Sequence, residues 1–311
     1  MYQGTLPIPT VVKQLPRASV QWVNHLRNAY KHQIAQIHPT PIIILGHQKS
    51  GTTAIAALLG QISGQSVTID PFHHIDLKAH LRQQLFNQEL AFDDVVQAHK
   101  FYFSTPIIKD PNFTFLYEDV KPCFPQATFV QVMRDPRQMI RSVLNRLKLP
   151  GNLPALEGNW CKQLQKMPAK GWSLMLAGDL PHVEGSNYIE RLAHRWNWAT
   201  DTYQAHRDKI YLIRYEDFVQ DKTNTIRDLA LRVGLNPIHD ISDQVDIQYQ
   251  PRGNYRVNWL EFFGKDNLQT IETICGTRMQ SFGYHLSPPP ITSDATSDKV
   301  PDFSGLAAAF A

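Results

Sequence analysis

One stretch constrains the fold of this chain more than any other: Pro41 to Gly60, which reads PIIILGHQKSGTTAIAALLG. Ile42, Ile43, Ile44 and Leu45 form an unbroken apolar run, the pattern of a parallel strand covered on both faces rather than of a half-exposed one. Gly46 ends the run. His47-Gln48-Lys49-Ser50-Gly51-Thr52-Thr53 then mixes glycine, lysine and hydroxyls, and Ala54, Ile55, Ala56, Leu58 and Leu59 open a helix-favouring segment. A strand, a small polar turn and a helix start make an anion site, because the turn's N–H groups and the helix N-terminus converge on one point. Lys49 adds a full positive charge there.

A nucleoside triphosphate loop of the Walker type needs its lysine directly after the second glycine, where it reaches the outer phosphates. Gly46 and Gly51 have the glycine spacing, but Thr52 stands at the lysine position and the lysine sits inside the loop at Lys49. Taken alone, the stretch also fits a Gly-Thr turn before a core helix or a degenerate kinase loop. A second stretch narrows this. Ala127 to Val132 (ATFVQV) reads as a strand followed by Met133-Arg134-Asp135-Pro136, with Asp135 a good N-cap and Pro136 a good first helical residue. The helix runs through Ile140, Val143, Leu144 and Leu147, and Ser142 falls eight residues after Arg134, about two turns along. Arg137 and Arg141 read as exposed arginines near the helix start. Two further stretches follow: Leu212-Ile213-Arg214-Tyr215-Glu216-Asp217-Phe218, after the strand candidate Ile210 to Ile213, and Pro251-Arg252-Gly253-Asn254.

Together these segments resemble the sulfotransferase family, from about Pro41 to Tyr284. The first loop resembles the family's K-S-G-T-T loop for the 5′-phosphosulfate of 3′-phosphoadenosine 5′-phosphosulfate (PAPS), which implies a role for Lys49, Ser50, Gly51, Thr52 and Thr53. Arg134 and Ser142 match the family's signature for the 3′-phosphate. Tyr215 matches the tyrosine that approaches adenine, and Arg252 with Gly253 resembles the late loop that closes on the 3′-phosphate. Ile271 to Tyr284 resembles the last helix, ending in Phe-Gly-Tyr. Two departures stand out. Ala54 replaces the tryptophan that many relatives stack on adenine. After Lys109, the residue two positions on is Pro111 where the small-molecule branch has a histidine base.

The base must then come from elsewhere. Gln65 to Asp70 is a candidate second strand, and ligands in open α/β sheets gather beyond the carboxyl ends of strands. Asp70 and His74 rank first there, with His73 and Asp76 behind; an imidazole has a suitable unperturbed pKa, whereas a carboxylate needs its surroundings to raise its own. A strand-end aspartate is also a common helix cap, and one of two adjacent histidines points to solvent.

The remaining pattern is that of a single three-layer α/β domain over residues 1–286, a P-loop-like nucleotide-binding fold whose central parallel sheet is flanked by helices. Residues 18 to 37 look like an amphipathic helix, with His25, His32 and His38 on its surface. The stretch between Ile75 and Lys100 is helical in period, Asn112 to Val120 reads as another short helix, and Pro122 and Pro125 bend the chain into the next strand. Leu149 to Val183, rich in Gly and Pro but carrying Trp160, Trp172 and Met175, reads as a long irregular connection, either an acceptor-binding lid or a packed surface insertion. Glu184 to Arg207 and Asp221 to Val233 are helices, and Trp259, Phe262 and Phe263 are expected to hold down the Arg252 loop. Residues 287–311 read as a flexible tail.

With 311 residues and 42% hydrophobic content the chain is long enough for one sizeable core. Its net charge of +3 suits an anionic nucleotide and falls short of a nucleic-acid-binding pattern. Cys123, Cys161 and Cys275 are odd in number and far apart, which argues for reduced thiols packed as small hydrophobes rather than a disulfide framework or a zinc site. The first forty residues show neither a signal pattern nor about 20 consecutive apolar residues, so a cytoplasmic enzyme without a membrane segment is expected. The resemblance implies in-line transfer of a sulfuryl group from PAPS to a hydroxyl or amine of a small-molecule, lipid or glycan acceptor. Lys49 would stabilise the leaving nucleotide and Lys109 would lie near the sulfuryl oxygens, with no metal required. A small-molecule kinase and a non-catalytic nucleotide-binding protein are the alternatives.

Overall fold

The Ile42–Gly46 run forms β1, buried along its whole length at the centre of a five-stranded sheet. The computed structural model describes residues 34–76, 80–166, 170–178, 180, 183–247 and 258–286. The other strands are β2 (Val67–Ile69), β3 (Ile107–Lys109), β4 (Thr128–Met133) and β5 (Ile210–Arg214). Their order is β2-β3-β1-β4-β5, and every pairing is parallel. Ile44 lies beside Lys109 on one side and Val130 on the other, and Gly46 lies beside Val132. The chain first builds the β2 side and then crosses to the β4 side, so the topological switch falls between β1 and β4, where an open α/β sheet presents its ligand crevice.

Parallel strands require long crossovers, here mostly helical. The described helices are α1 (Thr52–Ser63), α2 (Pro71–Ile75), α3 (His80–Phe86), α4 (Phe92–Ala98), α5 (Tyr117–Cys123), α6 (Pro136–Leu147), α7 (Asn159–Gln165), α8 (Lys170–Ala177), α9 (Tyr188–Ala205), α10 (Tyr215–Gln220), α11 (Lys222–Arg232) and α12 (Trp259–Ser281). The period-2 geometry of β1 sends its side chains to two cores. Ile43 and Leu45 join Ile140, Leu144, Leu192, Trp196 and Ile271 beneath α6, α9 and α12. Ile42 and Ile44 join Ile55, Leu58, Ile226 and Leu229 beneath α1 and α11. This is the three-layer arrangement that the strand and helix order predicts, and each fully buried isoleucine contributes roughly 1.5–3 kcal/mol to it.

Helix starts follow their caps. Asp135 accepts from the Arg137 N–H with Pro136 as first helical residue. Asn187 accepts from Ile189 and Glu190, so α9 begins four residues later than Glu184. Asp110 caps a short 3-10 turn at Pro111–Thr114, which splits the helix expected over Asn112 to Val120 into that turn and α5. The last helix starts well before Ile271 and breaks at Gly264, whose φ of 69° is left-handed.

Two readings are corrected. Arg137 and Arg141 are buried, not exposed: the Arg137 guanidinium pairs with Asp135 and Glu272 at 2.6 and 2.7 Å and lies 3.9 Å over the Trp259 ring. The 149–183 segment is not an irregular connection. It holds α7 and α8, and Leu164, Met175, Leu176 and Leu180 enter the main core. Its entry is anchored by Asn267, which donates to the carbonyls of Gly151 and Leu153, and by the Tyr188 hydroxyl on Pro150. The N-terminal helix up to residue 33 and the tail from residue 287 lie outside the described residues.

Candidate active site

The loop after β1 is shaped by close backbone contacts. Gly46 has φ 138°, and a Cβ there would come within 2.6 Å of the Val132 carbonyl and 2.8 Å of the Thr52 methyl. Lys49 itself is left-handed at φ 69°, and Gly51, at φ 92°, is the N-cap of α1 with no side chain capping the helix. The uncapped first turn therefore faces the loop with its partial positive charge. Ser50 and Thr52 are buried beneath it. The Tyr215 ring lies directly on Gly51, so close that a Cβ at 51 would be 2.4 Å from it.

Arg134 leaves β4 and closes over the same loop. Its guanidinium donates to the Lys49 carbonyl at 2.8 Å and to the Gln138 side chain at 3.1 Å, and lies 4.3 Å over the Tyr215 ring. Its Nε is buried without a partner among the described residues. Gln138, Ser142 and Arg146 recur every four residues on α6, which places them on one face. Arg134 holds the first of these, and the charge of the last is felt at Lys49. Burial, followed by the charges of Arg146, Arg134 and Lys109, pulls the Lys49 amine down to about 8. Ser142 is half-buried between them. Four cations thus share one field at the strand ends. Arg146 and Gln138 were missed from sequence; the four-residue step from Ser142 was the signal for both.

At the end of β3, the nearly buried Lys109 ammonium donates to Thr53 Oγ1 at 2.9 Å and to Asp70 Oδ1 at 2.8 Å. Asp70 sits at φ 51° and does not cap α2; its carboxylate turns to the lysine instead. Beneath it Asp110 accepts from the Phe72 and Asn112 N–H groups, and burial together with the Asp70 charge holds its carboxyl above the usual range. His74 is exposed and stacks flat on Tyr102, 5.4 Å between centroids; desolvation and His73 lower its pKa while Asp70 raises it. His73 is exposed beside it. Asp76 is buried and committed to Arg82, accepting from its backbone N–H at 2.9 Å and its Nε at 2.7 Å.

The Arg-Tyr-Glu-Asp segment does more than supply Tyr215. Glu216 accepts from the Asp135 N–H at 3.0 Å and from the Tyr284 hydroxyl at 2.9 Å, while Arg214 lies over the Tyr284 ring at 4.9 Å. Trp196 Nε1 donates to the Arg134 carbonyl at 2.9 Å. The turn that carries Arg134 is therefore fixed from α10, α9 and the chain after α12 at once. Arg252 and Gly253, and with them any contact of Trp259, Phe262 and Phe263 to that loop, lie outside the described residues.

A parallel sheet whose central strand ends in a glycine-bounded loop, with cations converging on its far side and the lysine inside the loop, defines a phosphate-loop α/β protein built for an anionic group. The sulfotransferase domain profile matches residues 39–270, well over half of the chain. The chain belongs to the sulfotransferase family, and its reaction is sulfuryl transfer. The kinase alternative is not favoured. Among similar solved structures is sulfotransferase STF9 from Mycobacterium avium, 14% identical, with a TM-score of 0.50 over 86% of this chain and 82% of that one. Another is mouse sulfotransferase SULT7A1 complexed with PAP, 15% identical, with a TM-score of 0.45 over 81% of this chain and 88% of that one. No curated protein sequence gives a significant match. Among the described residues no helix is long and apolar enough to cross a membrane.

Proposed function

We propose that the donor is PAPS and that this chain transfers its sulfuryl group to a hydroxyl or amine of a small-molecule, lipid or glycan acceptor. Lys49, Ser50, Gly51, Thr52, Thr53 and the uncapped start of α1 hold the 5′ side. Arg134, Ser142 and Arg146 hold the 3′-phosphate, joined by Arg252 and Gly253, and Tyr215 meets the adenine. The fit rests on the cation cluster: burial and then the charges of Arg146, Arg134 and Lys109 depress the Lys49 amine, and a buried Arg134 Nε lacks a partner among the described residues. A doubly phosphorylated adenosine supplies negative charge to this cluster and an acceptor for the Arg134 Nε–H.

Asp70 takes the acceptor's proton, Lys109 steadies the sulfuryl oxygens, and Lys49 stabilises the charge growing on the leaving phosphate. Positioning and charge stabilisation carry most of the rate, as in phosphoryl transfer. The observation that carries this reading is the Lys109 bridge, which sets the Asp70 carboxylate one ammonium away from the loop hydroxyl at Thr53. His74, next to Asp70, is the second candidate base.

Calorimetry with 3′,5′-adenosine bisphosphate (PAP) in the absence of magnesium, against ATP with magnesium, tests the donor. Tight PAP binding with ATP at least tenfold weaker is expected; the reverse order would refute the reading. Radiolabelled PAPS with hydroxylated and amino acceptors then tests transfer, which Lys49→Ala abolishes. A residual rate within threefold of wild type, about 0.65 kcal/mol in barrier, would remove Lys49 from this role.

A further inference from the structure

On the α9 side of the phosphosulfate loop, a second polar group is buried without a counterpart. Arg195 of α9 is 1% exposed, and its Nε and Nη1 have no hydrogen-bond partner among the described residues. The guanidinium lies 3.6 Å over the Phe115 ring, and the His47 ring meets the same Phe115 edge-on at 5.8 Å. Phe115 follows the 3-10 turn whose Thr114 hydroxyl accepts from the Gly46 N–H, so the cluster abuts the start of the transfer loop. Burial and the neighbouring Arg195 charge hold His47 down to about 3, so the ring is neutral. His47 Nδ1 lies 2.9 Å from the Gln48 carbonyl and must donate to it, which leaves Nε2 as a bare acceptor. That Nε2 and Gln48 Oε1 are likewise buried without partners among the described residues.

The charges around Arg195 do not balance. The cation whose charge acts on it, Arg82, already pairs with Asp76, and no described carboxylate acts on Arg195. A buried, uncompensated guanidinium is costly, and burial lowers its own pKa to about 9. Its unsatisfied donors take one monoanion, and the acceptors on His47 and Gln48 take an O–H or N–H.

We infer that Arg195, with His47 and Gln48, forms an acceptor subsite for a hydroxy or amino acid: the carboxylate on Arg195, any further O–H or N–H of the acceptor on His47 Nε2 and Gln48 Oε1, and the reacting hydroxyl or amine left to the base proposed above. The inference rests on the sulfuryl-transfer reading above and adds the acceptor's chemical class. Both partners fit without a further charge on the protein, since the carboxylate neutralises Arg195 and the neutral histidine needs only a hydrogen bond.

The test saturates the protein with PAP, filling the phosphate cluster, and follows its melting temperature with glycolate, 3-hydroxybutyrate and 4-hydroxyphenylacetate, each against its primary amide at constant ionic strength. At least one acid is expected to stabilise the wild type saturably, with its amide at least tenfold weaker. Arg195→Met is expected to lose this discrimination while binding PAP with unchanged affinity and melting no lower than wild type without acid, because it removes an unpaired buried charge. Arg195→Lys serves where the methionine variant does not fold, with the same loss expected. Equal response to acids and amides in the wild type, or undiminished discrimination in the variant, overturns the subsite. PAP binding by the wild type is measured separately, and the acid titrations are repeated without nucleotide in Lys49→Met, so failure of the donor reading is distinguished from failure of this one.

Discussion

The Lys49 amine, brought to about 8 by burial and by the charges of Arg146, Arg134 and Lys109, would make binding of the proposed nucleotide sensitive to pH. A phosphate dianion favours the protonated amine, so binding takes up a proton wherever the free protein has lost it. PAP affinity should hold steady between pH 7 and 8 and then fall by up to about tenfold per unit above the amine's pKa. Stability without ligand runs the opposite way: the folded state holds fewer protons than the unfolded one between about 8 and the ordinary lysine value near 10.5, so the melting temperature gains across that window. Lys49→Met flattens both profiles, and calorimetry across pH 7–9.5 checks the first. Asp70 and His74 divide by the same logic of position. Asp70→Asn should lower kcat by ~10²–10⁴ with PAP affinity retained, whereas His74→Ala, on an exposed ring stacked outward on Tyr102, should cost less than about tenfold. Single-turnover rates decide between them; the reverse ranking makes His74 the base.

Among the elements, the β4–α6 turn depends on partners far along the chain. Glu216 ties the Asp135 N–H to the Tyr284 hydroxyl, so Glu216→Ala strips two partly buried donors of their acceptor. A loss of about 2–4 kcal/mol by urea unfolding is expected, with weakened PAP binding because Arg134 loses its fixed start. A variant as stable as wild type would show that the clasp carries no weight. The strands and loops that lay close to their own signals were legible in sequence: the Ile42–Leu45 run, the Gly-bounded loop and the Asp135-Pro136 cap are each written within a few residues. Asp76 was not. Its segregation from the site depends on Arg82, and nothing near Asp76 announces that pairing. Nor were α7 and α8, because helices of seven and eight residues, set among glycines and prolines, show too little period to separate from a loop.

Across the whole molecule, burial rather than sequence context sorts the cysteines. Cys275 is fully buried between α9 and α12, where burial pushes its thiol far up, while Cys161 is exposed on α7, contrary to its reading as a packed hydrophobe. Cys123 is half-buried with its thiol raised to about 11. A thiol reagent at pH 8 should modify Cys161 first in the native protein, Cys123 slowly, and Cys275 only at the rate of global unfolding. Early labelling of Cys275 would mean that α12 opens independently of the sheet. Arg195 and His47 are not legible in the sequence for a related cause: their meaning lies in what fails to meet them, and a chain read linearly does not show a missing counter-ion.

The contact between Tyr284 and Glu216 also bears on how the enzyme is born. The Lys49 loop and the Arg134 turn leave the ribosome long before residue 284 does, so a nascent chain can hold its central strands yet lack a finished grip on the proposed nucleotide. Affinity should then arrive in one late step of synthesis, after the final helix has docked, rather than growing in proportion to length.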